Sequence, residues 1–176
     1  MATERVELPN GTLYQELGEI NAQVPVPAGW HTTFMHVPNN YAYSVSREDL
    51  SLTGMYKVGM SLQALENVSQ ALGQIPSDVA REMINNIPAR PASDVVEFES
   101  NGLVFFRRFF WVASDEYPIE IPWAKPYPID MYSQVVANDR TNRLYSMNFD
   151  TPSSEWRNYR ETGKLMIEGT VLDPNF

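Results

Sequence analysis

"VVEFESNGLVFFRRFFWVAS", residues 95–114, decides how this 176-residue chain folds. Asn101-Gly102 separates two runs rich in β-branched and aromatic residues. A type I′ turn needs positive φ at both central residues, and Asn-Gly reaches it at least cost, so the pair predicts a two-residue hairpin. Closure there sets Phe98 opposite Phe105 and Glu97 opposite Phe106. The second arm, 103–113, carries large apolar side chains at both parities and therefore on both faces of a strand. Such a strand belongs inside a sheet with something covering each side. A layered sandwich is the expectation.

The flanking sequence supplies the layers. "SDVAREMINNI", 77–87, places Val79, Ala80, Met83, Ile84 and Ile87 on one helical face; Ser77 or Asp78 is the expected cap and Pro88 the stop. Upstream, residues 17–24 alternate as a strand that Pro25 and Pro27 are expected to end, and Gly29 permits a bend before Trp30. "HTTFMHVP" and "YAYSVSRE" read as strands split by Pro38-Asn39-Asn40. "GMYKVGMSLQAL" alternates Tyr56, Val58, Met60 and Leu62 on one face, a further strand.

Downstream, "IDMYSQVVA" and "RLYSMNF" predict a second hairpin around Asn138-Asp139-Arg140. Thr151 and Pro152 look like the N-cap and first position of a closing helix. On it Trp156, Tyr159, Gly163, Met166, Ile167 and Thr170 form one stripe. Glycine weakens a helix by about 1 kcal/mol relative to alanine, so Gly163 on that stripe predicts close approach to the sheet. Between the hairpins, 115–128 holds four prolines with Tyr117, Ile119, Ile121, Trp123 and Tyr127. No inner strand tolerates that proline density, and the segment reads as a stiffened loop.

The whole reads as α+β, an antiparallel sheet between helices, in a single domain over 1–176 with residues 1–12 extended or partly disordered. The order of pieces resembles the PsbP-like superfamily, which includes the photosystem extrinsic protein, Ran-binding Mog proteins and DcrB-type proteins. The likeness rests on "VPVPAGW" (24–30), on "GMYKVGMSL" leading through "GQIPSDVAREMI", and on "RLYSMNFDTPSSEWRNYRETGKLMI". It implies an α/β/α sandwich and a non-enzymatic role as assembly factor, chaperone or protein-binding subunit. It carries over no catalytic residues. The proline-rich insert and the acidic balance depart from the photosystem members and argue against a photosynthetic role.

The net charge of −9, with thirteen Lys and Arg residues scattered among twenty-two acids, excludes the basic footprint of a nucleic-acid binder. The absence of cysteine removes disulfides, thiolate metal sites and cysteine nucleophiles. There is no integral membrane span, and the N-terminus lacks the apolar core of a signal peptide. The protein is thus expected to be cytoplasmic, or exported with its leader or lipid anchor already removed.

His31 and His36, five apart on a strand, point to opposite faces and cannot share a metal locally. No phosphate loop, dinucleotide fingerprint or nucleophile elbow occurs, so no cofactor, metal or catalytic residue is assigned. Glu97 and Glu99 share a strand face, which would suit a paired acid site or a weak divalent-cation site, but they read as an exposed hairpin arm. Arg107 and Arg108 project to opposite faces, with Glu97 or Glu99 as expected partners; the rival reading is an anion or carboxylate site. The apolar residues of the Pro-aromatic loop either fold back as a lid on the sheet edge or form a partner surface, for which they have the composition of a binding hot spot with prepaid ordering entropy. The expectation is a protein-binding or assembly domain docking an unidentified protein through Tyr117, Ile119, Ile121, Trp123, Tyr127, Arg107 and Arg108, with a homodimer left open. The alternatives are a chaperone or immunity-type protein that shields an apolar segment of a toxin or effector, and a small-molecule enzyme.

Overall fold

The computed structural model describes residues 7–9, 11–86, 92–113 and 127–176. Strands β1 (Thr12–Leu17) and β2 (Ala22–Pro27) join β10 (Val171–Leu172) in a small antiparallel sheet of order β1-β2-β10. The main sheet comprises β3 (His31–Val37), β4 (Asn40–Ser46), β5 (Gly59–Leu65), β6 (Val96–Ser100), β7 (Leu103–Val112), β8 (Ile129–Asn138) and β9 (Arg143–Pro152). Its order is β3-β4-β5-β9-β8-β7-β6, with every ladder antiparallel.

The hairpin at Asn101-Gly102 forms in the expected register, Phe98 opposite Phe105 and Glu97 opposite Phe106. Asn101 and Gly102 adopt φ of 53° and 76°. β7 lies between β8 and β6 and is covered on both faces, though it is one strand in from the margin rather than at the centre, which β9 occupies. On one face Phe106, Phe110 and Val112 pack with Val135, Ala137 and Leu144 under Val79, Ala80 and Ile84 of helix α3 (Pro76–Asn86). On the other, Phe105, Tyr132, Val136, Tyr145 and Phe149 meet Met166 and Ile167 of α4 (Trp156–Glu168) and Leu17, Ile20 and Val24 of the small sheet. Side chains alternating across two-sided strands thus build both cores of an α/β/α sandwich.

Gly163 explains how closely α4 lies. A Cβ placed there would stand 2.2 Å from Cδ1 of Phe149, inside any real contact distance. The Pro-x-Gly-Trp bend serves the same layer: Gly29 takes φ of 76°, and Trp30 stacks on Phe149 at 6.5 Å and tilts against Tyr159 at 6.3 Å.

Several local expectations are corrected. Residues 17–24 are not one strand; the chain turns through the 3₁₀ segment η1 (Gly18–Ile20) and Asn21 at φ 47°, then continues as β2 through both prolines. β10 pairs only with Ala22 and Gln23, so further along β2 has an open edge that accepts proline. β5 starts at Gly59, and Tyr56 lies before it, because a short helix α1 (Leu50–Thr53) capped by Asp49 diverts the chain. A second short helix, α2 (Val68–Leu72), follows β5.

Neither Ser77 nor Asp78 caps α3. The distant Asp139 accepts from the Ser77 amide at 2.8 Å and from its hydroxyl at 2.7 Å. Thr151 and Pro152 do not open α4 either. They extend β9, opposite Asp130 and Ile129, and a turn intervenes before Trp156. Pairing with β8 supplies backbone partners that an earlier helix start would forfeit.

Candidate functional site

An aromatic recess opens where β7 outruns its outer neighbour. β6 pairs with β7 only as far as Arg107, so Phe109 and Trp111 reach the margin of the sheet. Both project on the α4 side, as does Asp130, the cross-strand partner of Trp111. The first three turns of α4 bring Trp156, Arg160, Glu161 and Lys164 over the same spot, closing a groove of about 620 Å³. Phe109 stacks on Tyr132 at 4.1 Å and meets Trp156 edge-on at 5.9 Å and 80°. Such edge contacts add about 0.5–1.5 kcal/mol beyond area burial and hold the rings in place.

The charges of the groove are unequally satisfied. Arg160 donates to Glu161 at 3.0 Å on the exposed rim. Burial pushes the Asp130 carboxyl above its usual range. Among the described residues no cation lies within ion-pair distance of it. At the margin of β7 the backbone is already engaged: Ser93 accepts from the Phe109 amide through its hydroxyl at 2.9 Å and donates its own amide to the Phe109 carbonyl at 3.0 Å.

Of the residues singled out in the sequence, Tyr117, Ile119, Ile121 and Trp123 lie outside the described residues. Tyr127 is half-buried against the α3-side core, away from the groove. Burial, then the negative charges of Asp150, Glu48 and Glu155, raise its phenol pKa. Arg107 and Arg108 do take opposite faces. Arg107 donates to Gln134 at 2.5 Å, lies 4.7 Å over the Phe98 ring and stands 3.9 Å from Glu168 of α4. Arg108 donates to the carbonyls of Ser93 at 2.7 Å and Ile84 at 3.3 Å. The expected pairing with Glu97 or Glu99 is corrected: Glu97 is held by Arg81 at 2.9 Å, because α3 passes over that end of β6. Glu168 also accepts from Tyr132 at 2.6 Å, and burial, then this bond, pushes the Tyr132 phenol up.

A polar knot ties the N-terminal end of α4 to the β4–β5 connection. Arg47 donates to Glu48 at 2.6 Å, Glu155 at 2.7 Å and Tyr159 at 3.0 Å. Burial works to raise the Glu48 carboxyl, but Arg47 and the amides of Val58 and Lys57 prevail and hold it low. His31 stands 3.9 Å from Asp49 and His36 stacks on Tyr41, so the two histidines have separate surroundings. Among the described residues no three His, Asp or Glu side chains converge where a metal could sit.

Solved structures resemble the chain in overall fold. Cyanobacterial PsbP of Synechocystis sp. PCC 6803 superposes with a TM-score of 0.57 at 12% identity, covering 93% of each chain. This is the PsbP-like fold. LpqN of Mycobacterium tuberculosis, a protein involved in cell envelope biogenesis, shares the PsbP-like architecture at a TM-score of 0.51 and 12% identity over 92% of this chain and 91% of that one. The Ran-binding protein Mog1p of Saccharomyces cerevisiae is a looser match, at a TM-score of 0.45 and 13% identity over 90% and 94% of the two chains. No protein-family model and no curated protein sequence matches the chain. Among the described residues, no helix of this PsbP-like fold is long and apolar enough to cross a membrane.

The groove itself was not legible in the sequence. Trp111, Asp130 and Trp156 come from three elements that the register of β7 with β8 and the placement of α4 bring together. Trp156 stood on the predicted helical stripe, which marked it as inward-facing but not as a wall of an opening.

Proposed function

We propose that this chain is a non-enzymatic protein-binding domain of the PsbP-like type, docking its partner at the aromatic groove between α4 and the outer end of β7. The observation that carries this reading is the lining: Phe109, Trp111 and Trp156 stand half-buried around an open recess. Tryptophan and tyrosine dominate binding hot spots because a large rigid surface is buried at little entropic cost.

The test is affinity capture from the native proteome with wild-type protein and the groove variants Trp111→Ala and Trp156→Ala, with Leu52→Ala as a remote control. Circular dichroism checks that each is folded. Loss of the same polypeptide in the groove variants, with full recovery by the control, supports the docking site. Equal recovery by folded Trp111→Ala and Trp156→Ala removes it.

A further inference from the structure

The same groove has a chemical preference that its aromatic walls alone do not give. We infer that it receives a cationic side chain, lysine or arginine, of the docking partner, with Asp130 as counter-ion and the rings of Phe109, Trp111 and Trp156 as walls; this rests on the docking reading above. Asp130 lies on the groove floor, with no cation in ion-pair distance among the described residues. A desolvated carboxylate with no counter-ion, and with only the Ser153 hydroxyl working to keep it charged, is a cost to the fold, and a ligand bearing positive charge relieves it. Ring faces are negative and attract the same charge, so floor and walls agree in sign. The burial that raises the Asp130 pKa reports the same desolvation.

Two further features narrow the mode of recognition. Strand addition at Phe109 and Phe110 is blocked, because Ser93 already takes both the amide and the carbonyl of Phe109, and Ala92 bridges Phe110. Over this stretch a partner enters by a side chain rather than by its backbone. On the rim, Arg160 is tied to Glu161. That leaves Lys164 as the wall cation without an ion pair among the described residues. Lys164 opposes an incoming cation weakly from the solvated side and would attract an anion, so it fixes the sign of a test. The net charge of −9 adds long-range attraction for a basic partner.

The experiment is an NMR titration of the full chain, following the indole N–H signals of Trp111 and Trp156, assigned with Trp111→Phe and Trp156→Phe. The probes are acetyl-Gly-Arg-Gly-amide and its citrulline counterpart, which keeps the shape and loses the charge. The arginine peptide is expected to bind about five- to tenfold more tightly than the citrulline peptide, as a cation between rings and a carboxylate should. Asp130→Asn is expected to bring the two to within about twofold, and Lys164→Met to tighten arginine binding by about twofold. Equal affinities for the two peptides on wild-type protein, or no indole shift with either, overturn the inference. Weaker arginine binding in Lys164→Met overturns it as well, and neither readout depends on Asp130→Asn folding. A cation preference that fails while Trp156→Ala still loses its partner removes this inference and leaves the docking site standing.

Discussion

Replacing Gly163 by alanine sets two effects of known size against each other. The intrinsic helix preference favours the change by about 1 kcal/mol. Against it, the new methyl would sit 2.2 Å from one ring carbon of Phe149 and 2.6 Å from two more. Phe149 is fully buried and stacked on Trp30, so its ring has nowhere to yield. Either α4 lifts or the ring leaves its rotamer, and overpacking of this kind costs about 1–3 kcal/mol, here at the upper end. The net expectation is a loss of about 2 kcal/mol, or about 4–8 °C in Tm for a chain of this size. Urea denaturation of wild type, Gly163→Ala, Phe149→Leu and the double variant measures it. The cycle should show that Gly163→Ala costs much less once the ring is gone, a coupling only direct contact produces. A Gly163→Ala protein more stable than wild type would refute the packing of α4 on β9.

Arg47→Met should cost about 1–2 kcal/mol at neutral pH, since it removes bonds to Glu48, Glu155 and Tyr159 from a side chain that is 32% exposed and partly screened. Glu48 has a lowered folded pKa, so its contribution is present above the unfolded value and lost as pH falls through the folded one. The gap between wild type and Arg47→Met in urea midpoint should therefore narrow on acidification below about pH 4, and a gap that widens there contradicts the knot. Asp130→Asn should behave in the opposite way. The raised Asp130 pKa means that the native carboxylate is a burden above its folded pKa. The variant should gain stability at pH 7, and the gain should fade as pH drops toward about 4; a gain that grows with acid would contradict the desolvation.

Much of the architecture was legible because its signals are local. Positive φ at two adjacent positions selects Asn-Gly, and the register of a two-residue hairpin follows without reference to anything distant. Apolar residues at both parities of 103–113 require two covered faces, and a glycine on the buried stripe of a helix requires a close neighbour. These are properties of a few consecutive residues, and the structure carries all three. The fold class follows from them.

What failed in the local reading failed for one reason. Pro25, Pro27, Thr151 and Pro152 carry strong local preferences for ending a strand or starting a helix. Yet each sits in a strand, because a sheet neighbour that begins or ends elsewhere in the chain decides where pairing stops. Asp139 caps α3 from 62 residues away. The groove is the extreme case: its floor acid and its two tryptophans are ordinary residues on separate elements, and none carries a motif. Chain order determines which faces are apolar, but only tertiary packing determines where a strand outruns its neighbour and a helix overhangs the gap, because both depend on distances between segments that the chain itself does not specify.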